Sequence, residues 1–212
     1  MAIKNKSDLK YYIKKDRERN KLNHPLLQRI TFSEDYPLYA YLKNLRFYEY
    51  YLNNPKWYNL PFLYFHRLRH RRLTRKNNIF IAPNTIGWGV QLMHPGFRRI
   101  DIMVECGNQC TILPMVLMGK KRPGEKGEIK IGNNCYIGTG VTILGPITIG
   151  DNVTIAAGAV VVDNIPNDCV IGGIPAKILK YKNKSGIKIS CTIIVHKEKD
   201  HLLFSTASCG KI

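Results

Sequence analysis

Residues 131–166 read IGNNCY, IGTGVT, ILGPIT, IGDNVT, IAAGAV, VVDNIP, six consecutive units of six. The first position of each unit is aliphatic: Ile131, Ile137, Ile143, Ile149, Ile155 and Val161. The fifth is small or branched: Cys135, Val141, Ile147, Val153, Ala159 and Ile165. Positions one and five point inward, while the glycines and asparagines of positions two to four turn the chain, so each unit is a short strand and a corner. No unit can bury its own apolar face, and stability comes from stacking coil on coil.

The same pattern continues upstream in CGNQCT and ILPMVL, residues 106–117, and more raggedly from Ile81. Between the two blocks, MGKKRPGEKGE breaks the register and predicts a loop over 118–130. An insertion in a solenoid is thrown outward, often at the binding face.

Residues 1–78 have a different period. Ser7 reads as an N-cap with Leu9, Tyr12 and Ile13 at helical spacing behind it. Leu38, Tyr41, Leu42, Leu45, Tyr48 and Leu52 form one apolar stripe, stopped by Asn53-Asn54-Pro55. A third helix starts near Pro61 and runs through HRLRHRRLTRK, His66 to Lys76. Three regions result: a basic helical domain over 1–78, a repeat domain over 79–180, and an extension over 181–212. In that extension GIKISCTIIV and HLLFS look strand-like, and no function is assigned to them.

Charge follows the same division. Of the net +18, residues 1–79 carry +12, from 18 basic against 6 acidic side chains. The basic helix could meet phosphate, an anionic lipid face or an acidic glycan, or it could be a solvated face. No recognition-helix, zinc-finger or stacking-platform motif accompanies the charge, so no nucleic-acid partner is expected. No apolar run approaches a bilayer span, and MAIKNKSDLK lacks the apolar core of a secretory signal. The expected location is cytoplasmic, with a peripheral place on the inner membrane face left open. The six cysteines form no CxxC pair and read as core thiols of a reducing compartment.

The hexads, closed by GGIPAKILK at 172–180, resemble the left-handed β-helix (hexapeptide-repeat) acyltransferases. Over residues 36–181 the chain is most similar to the serine acetyltransferase branch and its relatives among surface-polysaccharide O-acetyltransferases. The resemblance implies a mainly β fold: a left-handed parallel β-helix with an N-terminal α-helical domain. It also implies a homotrimer that binds acetyl-CoA, the acyl donor, in the groove between neighbouring prisms.

The resemblance gives His94, in VQLMHPGFRRID, a role that the turn signal Pro95-Gly96 alone does not. The family's catalytic histidine precedes a hexad block by twelve residues, and His94 precedes Cys106 by twelve without a gap. It is then the general base, with an imidazole whose ordinary pKa lies near working pH. As the single histidine of residues 80–180, it leaves no three-histidine zinc site, and no metal is expected. A backbone N–H near Gly119 is the candidate oxyanion donor. Gly138, Thr139, Ala156 and Ala157 occupy the corners where the family lays pantetheine, and Lys177 and Lys180 could meet the CoA phosphates.

The departures concern the acceptor. Met93 and Phe80 stand where the family has carboxylates, and Gly127-Glu128 replaces the Arg-His pair that ends its loop. Arg98, Arg99, Asp101 and Glu128 are the groups offered instead, and arginine with carboxylate suits a polyhydroxylated acceptor. The expected reaction is O-acetylation of a sugar or polysaccharide precursor. The alternatives are serine O-acetylation, N-acetylation of an amino sugar nucleotide, and a non-catalytic trimeric scaffold. The group that orients His94 is left among Asp101, Glu128 and a backbone carbonyl.

Overall fold

The computed structural model describes residues 2–21, 25–31, 33–122, 124 and 127–182. The strand-like segments expected in the extension, 186–195 and 201–205, lie outside these residues. Four α-helices come first: α1 (Lys6–Arg19), α2 (Pro25–Ile30), α3 (Asp35–Asn53) and α4 (Leu60–Asn77). Asn5 rather than Ser7 caps α1, because its side chain accepts from the Asp8 N–H at 2.8 Å while Ser7 lies inside the first turn. The α3 stripe buries Leu38, Tyr41, Leu42 and Leu45. Leu52, in its last turn, is exposed.

The prism begins one residue after α4 ends. Its first coil holds β1 (Ile79–Ile81), a bridge at Ile86 and β2 (Gln91–Leu92). The second holds β3 (Arg98–Ile100), β4 (Val104–Cys106) and β5 (Thr111–Ile112). The third holds β6 (Val116–Lys120), β7 (Ile129–Ile131) and β8 (Tyr136–Ile137). β9 (Thr142–Gly145), β10 (Ile147–Ile149) and β11 (Thr154–Ile155) make the fourth. The last has β12 (Val160–Val161), a bridge at Ile165 and β13 (Cys169–Gly172), on which β14 (Lys177–Tyr181) folds back antiparallel. β6 runs three residues further than expected and β7 starts two earlier, which shortens the loop to 121–128.

Strands of successive coils pair in parallel to make three faces. The first face is β1-β3-β6-β9-β12, the second β4-β7-β10, and the third β2-β5-β8-β11-β13. All twelve inward positions of the six hexads are at most 7% exposed. Burying one such aliphatic side chain stabilises by about 1.5–3 kcal/mol, and together they form one core continuous with α3. The fold is the left-handed parallel β-helix with an N-terminal α-helical region.

A buried ion cluster docks the helices on the first coil. The Arg46 guanidinium of α3 donates to Asp16 Oδ2 of α1 at 2.8 Å, Glu49 Oε2 at 3.0 Å and the Ile86 carbonyl at 2.9 Å. The carboxylates also hold the coil: Glu49 accepts from Asn84 N–H at 2.8 Å, and Asp16 from Val90 N–H at 3.2 Å. With every charge partnered, the cluster fixes α3 against the prism, and with it the residues at its N-terminus.

Candidate active site

Corners between the third and first faces stack into one edge of the prism. It carries residues 93–97, 113–115, 138–140 and 156–158 in successive coils. The lower corners use three residues each, whereas the corner holding His94 uses five. The two extra residues push the turn outward, and His94 itself takes a left-handed backbone conformation, φ 56°. Its side chain stands 58% exposed at the top of the edge.

Underneath that turn lies Arg98, fully buried. Its guanidinium donates to the carbonyls of Met93 and His94 (2.7 Å), Gly96 (3.1 Å) and Ile112 (3.3 Å). Burial lowers its pKa to about 10, and the group remains charged at neutral pH. This corrects the expectation that Arg98 binds substrate: the charge is spent on the carbonyls that a five-residue corner leaves unpaired. Arg98 positions the turn that presents His94.

The partner of His94 is Glu34, sixty residues earlier, at the N-cap of α3. Glu34 Oε1 lies 3.2 Å from His94 Nδ1. A carboxylate only accepts, so Nδ1 carries the proton and the Nε2 lone pair faces away, free to accept one. Sequence reading did not name Glu34. No local motif marks it, and its proximity follows from the docking of α3.

Directly below His94 the corner carries Leu113, Pro114 and the exposed Met115, and the edge becomes narrow at the two corners beneath it. Thr139 is exposed, with its hydroxyl donating to the Pro114 carbonyl at 2.9 Å, and Ala157 is exposed beside the half-buried Ala156. At Gly140 and Gly158 nothing closer than 3.8 Å would meet an added Cβ. The run of small groups thus leaves an open strip along the prism, which fits an extended acyl-carrier arm. Gly138 needs a correction: it is buried, and a Cβ there would strike Ala157 N at 2.7 Å. Coil-to-coil packing, not a ligand, requires glycine at that position. Lys177, on β14, is exposed five strand spacings down from His94, roughly 24 Å at 4.7–4.9 Å each; Lys180 is half-buried.

The remaining expected residues are not gathered around His94 in one chain. Arg99 and Asp101 line a separate groove between α4 and the first face. Glu128 sits at the edge between the first and second faces, near Ile102 and Lys120, and pairs with Lys130 at 3.2 Å. Gly119 lies buried within β6 opposite Leu144, towards that same edge, where an added Cβ would meet Leu117 Cδ2 at 3.9 Å. Among the described residues no group of three or more His, Cys, Asp or Glu side chains could hold a metal ion. Cys106, Cys110, Cys135 and Cys169 are buried free thiols; Cys191 and Cys209 fall outside the described residues.

Residues 128–163 match the family described as bacterial transferase hexapeptide (six repeats). Serine acetyltransferase of Synechococcus elongatus is 36% identical over 106 residues, 49% of this chain and 42% of that protein. Galactoside O-acetyltransferase of Escherichia coli is 44% identical over 94 residues, 39% of this chain and 46% of that protein. The crystal structure of Neisseria gonorrhoeae serine acetyltransferase superposes with a TM-score of 0.63 at 27% identity, covering 84% of this chain and 67% of that one. Over its repeats the chain is similar to the hexapeptide-repeat transferases, and its fold is the left-handed β-helix of the serine acetyltransferase structure it resembles. The chain spans less than half the length of these curated relatives.

Proposed function

We propose that this chain transfers an acetyl group from acetyl-CoA to a hydroxyl group, with His94 as general base. The observation that carries the reading is the edge itself. An exposed imidazole, tautomer fixed by Glu34, heads an edge that passes Met115 and is then lined by small side chains, from Gly138 down towards Lys177. His94 Nε2 removes the hydroxyl proton as that oxygen attacks the thioester carbonyl. The carbon–sulfur bond then breaks, and the imidazolium returns the proton to the departing thiolate. Transfer is direct, with no covalent enzyme intermediate.

For the acceptor, the relatives support serine better than a sugar hydroxyl, since most of the similar proteins are serine acetyltransferases. Glu34 favours the same direction, because it supplies an acidic partner for His94 where Met93 and Phe80 do not. The sugar acceptor stands as the second reading. It draws on the match to a galactoside O-acetyltransferase and on Gly127-Glu128 at the loop's end.

The active assembly in this reading is a homotrimer. Gly119 and Glu128 lie on a different edge from His94, so only a neighbouring copy can bring them to it. A peripheral place on an anionic membrane is also part of the reading. Trp57, Tyr58, Tyr64 and Phe65 are exposed beside the arginines of α4, an interfacial composition, and among the described residues no helix is long and apolar enough to cross a membrane.

Release of CoA from acetyl-CoA tests this, with serine and a panel of sugars as acceptors. His94→Ala should lower kcat on the working acceptor by about 10²–10⁴. Glu34→Gln should cost roughly tenfold, the worth of a hydrogen bond to a charged group of about 1.5 kcal/mol. Turnover on sugars and not on serine would reverse the order of acceptors. An unchanged rate in His94→Ala would remove His94 from the chemistry, and silence on every acceptor would leave the scaffold.

A further inference from the structure

A helix that packs on a sheet normally turns an apolar stripe towards it. α4 sets Leu73 against the core, but the flank beside that contact, facing the first coil, carries Arg67, His70, Arg71, Thr74 and Arg75, at i, i+3, i+4, i+7 and i+8, with the three arginines exposed. Between this face and the prism lies a groove of about 640 Å³. Arg99 enters it from β3, on the same side as Phe80, which β1 presents in register with it.

Four guanidiniums thus line one concavity from two elements. Arg67, Arg71, Arg75 and Arg99 have no ion pair or hydrogen bond to any described residue. Like charges held this close repel each other, at a cost that an anion would remove. A second observation points the same way. His70 lines the groove, and its Nδ1 is buried without a hydrogen-bond partner among the described residues. Such a group is normally satisfied. Asp101, at the end nearest Pro83, is the single carboxylate of the lining; its Oδ1 accepts from the Ile102 N–H at 2.8 Å.

We infer that this groove is a binding site for a phosphate-bearing ligand carrying more than one phosphate group, separate from the edge that His94 heads. Successive α4 arginines four residues apart are about 6 Å apart along the axis, so the three span roughly 12 Å. That spacing exceeds one phosphate and suits a diphosphate, with Arg99 across the groove and guanidinium forks matching phosphate oxygens in pairs. Phe80 and Tyr48 add an apolar wall for whatever the diphosphate is attached to. The inference does not depend on acetyl transfer, and its test uses no acceptor.

Calorimetric titration of the full chain with inorganic diphosphate, in low salt, reads the site directly. One site per chain is expected, weakened at least tenfold by Arg71→Gln and by Arg99→Gln. Arg72→Gln, on the face of α4 turned away from this groove, should change affinity less than twofold. A parallel arm uses vesicles of phosphatidylglycerol in phosphatidylcholine. Vesicle binding lost in the same two variants and displaced by diphosphate would assign the phosphates to a lipid headgroup. Diphosphate binding without vesicle binding would assign them to a soluble molecule. No binding of either probe would overturn the inference, as would equal losses in Arg72→Gln and Arg71→Gln. Displacement of diphosphate by CoA would make the groove part of the donor's site and overturn it too.

Discussion

Arg98 and Glu34 both act on His94 from beneath or beside it, and they differ in how much stability rests on each. Glu34 is 57% exposed, and so exposed a pair contributes little to folding. Arg98 is the opposite case, a buried charge whose removal strands the carbonyls of Met93, His94 and Gly96, while that of Ile112 keeps the Met93 N–H. Arg98→Met should therefore destabilise the chain by about 3–5 kcal/mol, read from urea denaturation. It should also depress turnover beyond what the loss of folded protein explains, because the turn that presents His94 loses its seat. Arg98→Lys should rescue little, since one ammonium cannot serve four carbonyls in a fork geometry. Full activity with normal stability in Arg98→Met would mean the five-residue corner holds itself. At this scale the sequence was half legible. The twelve-residue offset from Cys106 marks His94, whereas nothing marks Arg98 as buried: in FRRI two adjacent arginines look alike, and strand alternation sends Arg98 inward and Arg99 out.

Among the elements, α4 was legible in its extent, from period 3.6 and Pro61, and in the exposure of its charges: Arg67, Arg71 and Arg75 are exposed. What the sequence does not mark is the groove that they flank against the prism, with His70 carried inward beside them. Burial lowers the pKa of His70 to about 4, below the ordinary value of 6.5. The folded state therefore keeps the ring neutral, and the unfolded state takes up the proton first as pH falls. Stability is complete above about pH 6.5 and is lost progressively towards pH 4. Between pH 7.5 and 5 the loss from this residue should be about 2 kcal/mol by linkage. Denaturation of wild type beside His70→Asn at the two pH values isolates it: the variant should lack this part of the acid sensitivity. Equal losses in both proteins would show that His70 titrates as if exposed. The hexads, by contrast, were legible almost residue by residue. A β-helix coil is specified locally by its own six residues, while the docking of α3 depends on Arg46 and Glu49 meeting Asp16 of α1 and Asn84 of the first coil, three parts of the chain.

At the scale of the molecule, the prism separates His94 from Glu128, which the sugar-acceptor reading brings to one site. His94 stands on the edge between the third and first faces, and Glu128 on the edge between the first and second. The proposed homotrimer would resolve this, because each interface of a closed threefold assembly can join one edge of a prism to a different edge of its neighbour. Had the two residues belonged to one chain's site, a copy damaged at either would be inactive whatever surrounded it. A shared site behaves differently. His94→Ala trimers and Glu128→Ala trimers should each be strongly impaired. When the two variants are co-expressed in equal amounts, a site has an intact histidine with probability one half and an intact neighbouring glutamate with probability one half. About one quarter of the sites should then be whole, and CoA release should recover to about one quarter of wild type. Ultracentrifugation of the same mixture checks that the mass is that of three chains. Activity no higher than that of the separate variants would confine the site to single chains, and Glu128 would then belong to the ion pair with Lys130 and to nothing else.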